Sequence, residues 1–135
     1  MEFDTKIKIV LRNDLETWQK LNITAFLMSG IAGTQNIIGQ PYVDKDQIQY
    51  LPMSQQPIMI HSATNEQMKD LLKKALSKEV VISIFIEELF NTFNDLDNRA
   101  MVANFKTDEL NLVGIGIRGK KNHVDRLLKG FELHK

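Results

Sequence analysis

The chain contains no cysteine among its 135 residues and only three prolines. The absence of cysteine excludes disulfides, thiolate nucleophiles and cysteine-based zinc sites, and it is compatible with a reducing compartment. No apolar run approaches the ~20 residues that span a bilayer, and the N-terminal segment MEFDTKIK lacks the layout of a signal peptide. The sequence therefore predicts a cytoplasmic protein with no membrane partner.

An excess of charge of either sign is also missing, because 17 Lys and Arg residues balance 17 Asp and Glu residues. A nucleic-acid binder usually carries a basic excess, since phosphate contacts dominate its affinity, so charge disfavours tRNA as a partner. The charge is uneven: residues 87–109 hold six acidic and two basic residues, whereas residues 113–135 hold six basic and two acidic residues. The basic segment could contact phosphate, although a solvated helix face is the more common origin of such a run.

The residues that are present are typical of one globular domain, with 43% hydrophobic and 25% charged residues. Strand patterns lie at residues 6–15, 58–61, 80–86 and 112–117, with a short further candidate at 131–134. Helix patterns lie at residues 16–32, 64–76, 100–103 and 121–129. Strands that alternate with helices predict a single α/β domain whose sheet is at least partly parallel.

The first predicted helix has two apolar stripes instead of one. One stripe holds Trp18, Leu21, Ala25, Met28 and Ala32, and the other holds Ile23, Phe26, Leu27 and Ile31. A helix that is apolar on two sides is either sandwiched in the core or buried at a subunit contact. Glycines at 30 and 33 mark its expected end.

Residues 35–56 hold no long periodic segment, and a structureless loop of that length would be unusual. We predict a small hairpin that turns at Asp44-Lys45-Asp46, with Ile48 and Tyr50 alternating on the return strand. Prolines around it favour a position outside the centre of the sheet.

Three glycines form the pattern GxGxxG at Gly114, Gly116 and Gly119, between a strand and a helix. This pattern can seat a pyrophosphate on a helix N-terminus. Only sixteen residues follow Gly119, however, which leaves no second βαβ half and no acidic residue to hold a ribose. We therefore predict that these glycines serve close packing and a tight turn.

Polar side chains follow the first and third predicted strands, where open α/β sheets bind ligands. If these two strands run parallel as neighbours, Arg12 and Asp14 share a crevice with Glu87 and Glu88. Carboxylates, a lysine and a threonine are the groups of an acid/base or ligand site; the alternative is a solvated loop with helix caps, Asp97 being a candidate N-cap. The candidate binding residues are Arg12, Asp14, Asn22, Glu87, Asp97, Asn98 and Arg99.

The three histidines, His61, His123 and His134, are scattered and have no spacing typical of a metal site. His61 and Ser62 are adjacent in a predicted strand, so their side chains point to opposite faces and cannot form a dyad. No metal and no cofactor are predicted.

Several segments carry a resemblance to a known family: KIKIVLRNDL, WQKLNITAF, GQPY, YLPM, NDLDNRA and LVGIGIRGKKNHVDRLLKG. Together they resemble an uncharacterised bacterial family of the peptidyl-tRNA hydrolase type 2 superfamily. The resemblance implies a mixed four-stranded sheet with helices on both faces, and a homodimer.

The hydrolases of that superfamily cleave the ester between a peptide and tRNA, and the resemblance implies catalytic roles for Lys20, Glu88 and Thr92. Three functional hypotheses follow. The first is a protein of this fold that binds a small ligand in the crevice at the strand ends. The second is hydrolysis of peptidyl-tRNA or a related ester, with Lys20 stabilising the developing negative charge. The third is a non-catalytic dimeric interaction module.

Overall fold

Seven strands and four α-helices follow one another along residues 2–135, the part of the chain that this computed structural model describes. In chain order they are β1 (Thr5–Arg12), α1 (Thr17–Thr34), β2 (Tyr42–Val43), β3 (Gln49–Tyr50), β4 (Ile58–Ala63), α2 (Asn65–Ala75), β5 (Val80–Ile86), α3 (Asp95–Ala103), β6 (Leu112–Lys120), α4 (Lys121–Leu127) and β7 (Glu132–Leu133). Within these residues no helix is both long enough and apolar enough to cross a membrane.

Five of the strands form one mixed sheet in the order β5-β6-β1-β4-β7. Only β1 and β4 are parallel neighbours; the other three pairs are antiparallel. The expected count of four strands was too low, because the C-terminal segment adds β7 through the pairs His61–Leu133 and Ser62–Glu132. The fold is thus a single α/β domain with one more edge strand than the resemblance implied.

The first and third predicted strands, β1 and β5, were expected to be neighbours, but the structure separates them. β6 lies between them and runs antiparallel to both. Because β6 is antiparallel to both strands, β1 and β5 run in the same direction, and both finish at the same end of the sheet. This end, where Arg12 and Glu87 lie, is called the carboxyl rim.

The helices cover both faces of the sheet. On one face α1 packs through Ile23, Leu27 and Ile31, which are fully buried, and on the other face α2 and α4 pack against a shared core. A Cβ atom at Gly114 would collide with the Ile23 side chain, and one at Gly116 would collide with the Ser83 hydroxyl. This confirms that these glycines permit close packing of α1 on β6.

Three large apolar side chains of α1 face solvent in the monomer: Trp18 and Leu21 from the first stripe and Phe26 from the second. Trp18, Leu21 and Phe26 are 59%, 68% and 54% exposed. The helix also runs past Gly30 and Gly33 and ends at Thr34. Sequence periodicity could not choose between the two stripes, because they are nearly equal in hydrophobicity.

Local signals set the ends of two other helices. The Thr64 hydroxyl accepts a hydrogen bond from the Gln67 backbone, and the Gln67 side chain accepts one from the Thr64 backbone, so the two residues form a capping box at the start of α2. The N-cap of α3 is Asn94, whose side chain accepts from the Asp97 backbone N–H. Asp97 was therefore the wrong choice of cap, since it lies inside the first turn.

The predicted hairpin is confirmed as β2 and β3, a two-stranded sheet separate from the main one. The Asp44 carboxylate accepts hydrogen bonds from the backbones of Asp46 and Ile48 and from the Tyr50 hydroxyl. Gln47 adopts a φ of 68° and closes the turn.

Candidate functional site

Arg12 organises the carboxyl rim. Its guanidinium donates from Nε to Asp14 Oδ1 (2.7 Å) and from Nη1 to Asn111 Oδ1 (3.2 Å). Its Nη2 lies 3.5 Å from Glu87 Oε1, and Asn111 Nδ2 donates to Glu87 Oε2 at 2.7 Å. The ends of β1 and β5 and the residue before β6 are thereby joined into one network, which fixes the orientation of Glu87.

The Arg12 side chain is only 11% exposed, but its two carboxylate partners reach solvent. The hydrogen bond from Arg12 lowers the pKa of Asp14 below its ordinary value, so this carboxylate stays ionised. Arg12 is therefore balanced by Asp14 and Glu87, and Glu88 adds a further negative charge at the same edge. This rim favours a cation over an anion.

A hollow of about 540 Å³ opens beside this network. One wall is aromatic, because the Trp18 and Phe90 rings meet edge to face with their centroids 5.4 Å apart. The polar lining consists of Gln19, Glu87, Glu88, Asn91 and Asn111. Within residues 2–135, Glu88 Oε1 is buried and has no hydrogen-bond partner. The hollow thus combines an aromatic wall with two carboxylates.

Lys20 and Asn22, the two candidates on α1, do not line this hollow. Lys20 is partly buried and forms no ion pair or side-chain hydrogen bond within the described residues, and Asn22 is exposed. The structure therefore does not bring the Lys20 ammonium into contact with Glu88 or Thr92.

Thr92, Asp97 and Asn98 meet at the start of α3. The Thr92 hydroxyl donates to the Leu89 carbonyl at 2.9 Å and also contacts Asn98 Oδ1. The Asp97 carboxylate accepts from Asn94 Nδ2 at 3.0 Å. These contacts are those of a turn and a helix cap, as the alternative interpretation of this segment expected.

Arg99 pairs with Asp95 one turn earlier on α3. Asn98 and Arg99 line a second groove, of about 530 Å³, whose opposite side is formed by Phe26 and Ser29 of α1. The single crevice expected from the sequence is therefore two separate spaces, one beside Arg12 and Glu88 and one between α1 and α3.

Sequence reasoning missed Asn111, Trp18 and Phe90 as residues of the hollow. Asn111 directly precedes β6 and enters the rim only because β6 lies between β1 and β5. No pattern along the chain indicates that placement. The available signal for the aromatic wall was that Trp18 and Phe90 each follow a polar strand end within a few residues.

The described residues contain no group of three potential metal ligands. His61 is buried with both ring nitrogens unpartnered by other described residues, and burial lowers its pKa. It lies on β4, away from the rim hollow.

The fold and the rim define an α/β protein whose helices sandwich a five-stranded mixed sheet, with a carboxylate-lined hollow at one edge. The chain belongs to the family described as protein of unknown function DUF2000, whose model matches residues 5–135. A solved structure of a protein of unknown function, Atu0240 from Agrobacterium tumefaciens strain C58, is 42% identical, with a TM-score of 0.95. The match covers 99% of this chain and 100% of that one. A search of curated proteins finds no match.

Proposed function

We propose that this protein binds a small molecule with an amine or other positively charged nitrogen in the hollow beside Arg12. The observation that carries the proposal is the pair of carboxylates, Glu87 and Glu88, that line the hollow beside the Trp18–Phe90 wall. Glu88 forms no ion pair or side-chain hydrogen bond with the described residues, so its carboxylate remains available to a charged N–H donor on a ligand. We place the protein in the cytoplasm because it lacks cysteine.

The other walls of the hollow support the same class of ligand. Glu87 is already held by Arg12 and Asn111, so it contributes negative potential without needing a donor. Trp18 and Phe90 offer ring faces and edges, and an organic cation over such a ring gains about 0.5–2 kcal/mol. A volume of about 540 Å³ lies in the range of ordinary small-molecule sites.

The test is thermal unfolding of the full chain with phenethylamine, tryptamine and spermidine. A ligand that binds only the folded state raises its stability by ~2.7 kcal/mol at a hundredfold excess over Kd. We expect at least one amine to raise the midpoint for the wild type and for the surface control Glu132→Gln, but not for Glu88→Gln or Trp18→Ala. Equal shifts in Glu88→Gln and the wild type would refute the proposal, as would no shift with any of the three.

A homodimer is a second proposal, favoured by the exposed apolar side chains of α1. Trp18, Leu21 and Phe26 present large apolar side chains to solvent on one helix, and exposed apolar surface of this kind is typical of interaction sites. Light scattering at micromolar concentration should give a dimer mass for the wild type and a monomer mass for Leu21→Lys. Leu76→Lys, at the exposed C-cap of α2, is the control and should remain dimeric. A monomeric wild type contradicts the proposal.

Ester hydrolysis on peptidyl-tRNA is the competing enzymatic proposal, and it rests on the superfamily resemblance. One feature favours it. Glu88 and Thr92 follow β5 at the carboxyl rim, and α1, which carries Lys20 in its first turn, begins at the same rim. The wild type should then release labelled peptide from peptidyl-tRNA, and Lys20→Ala should not. Equal background release by both proteins rejects this activity.

A further inference from the structure

Arg118 lies on β6 at the end of the sheet opposite the carboxyl rim, where it pairs in register with Ile7 near the start of β1. Its Nη1 donates to Gln35 Oε1 at 3.0 Å and its Nε to Gln56 Oε1 at 3.4 Å. Both partners are neutral amides. Among residues 2–135 no carboxylate forms an ion pair with this guanidinium, although the side chain is partly buried.

The two amides are held in place by their surroundings. Gln56 is buried, and its Nε2 donates to the Thr5 carbonyl at 2.8 Å. The Thr5 hydroxyl donates to Gln56 Oε1 at 3.2 Å, so that oxygen stays directed at Arg118. Gln35 is the C-cap of α1. The guanidinium therefore has a fixed position at the mouth of a cleft of about 320 Å³.

The charge at this position is incompletely compensated. The guanidinium has five N–H donors, and Nη2 has no partner among the described residues. The negative end of the α1 macrodipole lies close by at Gln35; it favours Arg118 but supplies no ionised counter-ion. A partly buried charge without a counter-ion is costly. A carboxylate or phosphate would match the free edge of the guanidinium in geometry and sign.

We propose that the Arg118 cleft is a binding site for a small oxyanion, a carboxylate or a phosphate. The site is separate from the rim hollow, because the two lie at opposite ends of β1. Asn36 and Gln55 also line the cleft, and the Gln55 amide is held by the Ile38 carbonyl. Asp4 lines it too and repels an anion, so it weakens binding and limits the charge of the occupant.

The experiment is a titration of the isotopically labelled full chain, followed by NMR at the Arg118 Nε–H and at the backbone amides of Thr5 and Ile37. The two probes are inorganic phosphate and acetate, at ionic strength held constant with chloride. The variants are Gln35→Glu, which places a carboxylate 3.0 Å from Nη1 without removing the arginine, and Asp4→Asn. Lys120→Gln, which removes one positive charge two residues away, is the control.

We expect saturable shifts at these residues with at least one probe, and the probe that binds more tightly identifies the anion class. Gln35→Glu should weaken binding at least tenfold while the spectrum stays folded. Asp4→Asn should tighten binding, and Lys120→Gln should bind within about twofold of the wild type. Shifts that follow chloride alone, or binding by Gln35→Glu equal to that of the wild type, would overturn the proposal.

Discussion

The two arginines of the central sheet sit at opposite ends of β1 and have opposite electrostatic surroundings. Arg12 meets two carboxylates and an amide, whereas Arg118 meets only the two amides of Gln35 and Gln56. The comparison shows that a partly buried arginine can serve either to join strand ends or to remain available to a ligand. The deciding feature is whether the chain itself supplies the counter-ion.

The difference also assigns opposite ligand signs to the two ends of the molecule. At the carboxyl rim the protein has spare acceptors, since Glu88 Oε1 is unsatisfied. At the opposite edge it has spare donors on Arg118. With zero formal net charge, the protein has little long-range preference of its own, so these local imbalances determine which ions each edge attracts.

The largest expected effect comes from a change at the contact between α1 and β6, the strand that carries Arg118. Gly114→Val places a branched side chain where the first added carbon already meets Ile23 and Leu27. Overpacking at such a site costs 1–3 kcal/mol and occasionally more, and we expect about 3 kcal/mol here because α1 must move away from β6. Urea unfolding measures this loss. A cost below about 1 kcal/mol would show that α1 is not tightly seated on the sheet.

Arg12→Met should have the next largest effect. It removes three contacts at once and leaves Asp14, Glu87 and Asn111 without their shared donor. We expect a loss of about 2–3 kcal/mol, which is less than for a fully buried ion pair because both carboxylates are more than half exposed. If Arg118→Met lowers the free energy of unfolding more than Arg12→Met does in the same experiment, the comparison between the two arginines fails.

Arg118→Met should cost less than about 1 kcal/mol. It gives up two hydrogen bonds to neutral amides, but it also removes an incompletely compensated charge from a partly buried position. The more sensitive readout is ligand-dependent stability, because phosphate or acetate should stabilise the wild type more than this variant. Equal stabilisation of both would remove Arg118 from the anion site.

The smallest expected effect is a difference in acid sensitivity. The pKa of Asp14 is lowered in the folded state by the hydrogen bond from Arg12. The stability that this carboxylate contributes is therefore fully present above the ordinary Asp pKa of 3.8 and is lost as the pH falls through the lower pKa of the folded state. Because Asp14 is 61% exposed, we expect well under 1 kcal/mol. The measurement is the free energy of unfolding between about pH 5 and pH 2, the range in which this carboxylate titrates. It should depend less on pH in Asp14→Asn than in the wild type, and Arg118→Met should keep the wild-type dependence.

Features that depend on neighbouring residues were predictable from the sequence. The capping box at Thr64 and Gln67 follows from spacing within one helical turn, and Gly130 adopts a φ of 86° just after α4, as its position predicts. The close-packing role of Gly114 and Gly116 was also deduced correctly, because the remaining chain was too short for a dinucleotide site.

Features that depend on strand order were not predictable in the same way. The placement of β6 between β1 and β5 is set by contacts between distant segments, so Asn111 was missed and β1 and β5 were wrongly expected to be neighbours. The burial of α1 was ambiguous for another reason: both stripes are apolar, and only the sheet selects Ile23 and Leu27 for burial. The Arg118 cleft joins residues from four separate segments, and no local pattern marks it.

The hairpin of β2 and β3 has a practical consequence for work on this protein. Its strands lie outside the five-stranded sheet, and its turn is closed by contacts that Asp44 makes within the hairpin itself. Exposed turns of this kind tolerate insertions, and Lys45 at the tip is exposed. A fluorophore or an affinity tag attached there would allow immobilisation and single-molecule measurements while both ends of β1 stay unmodified.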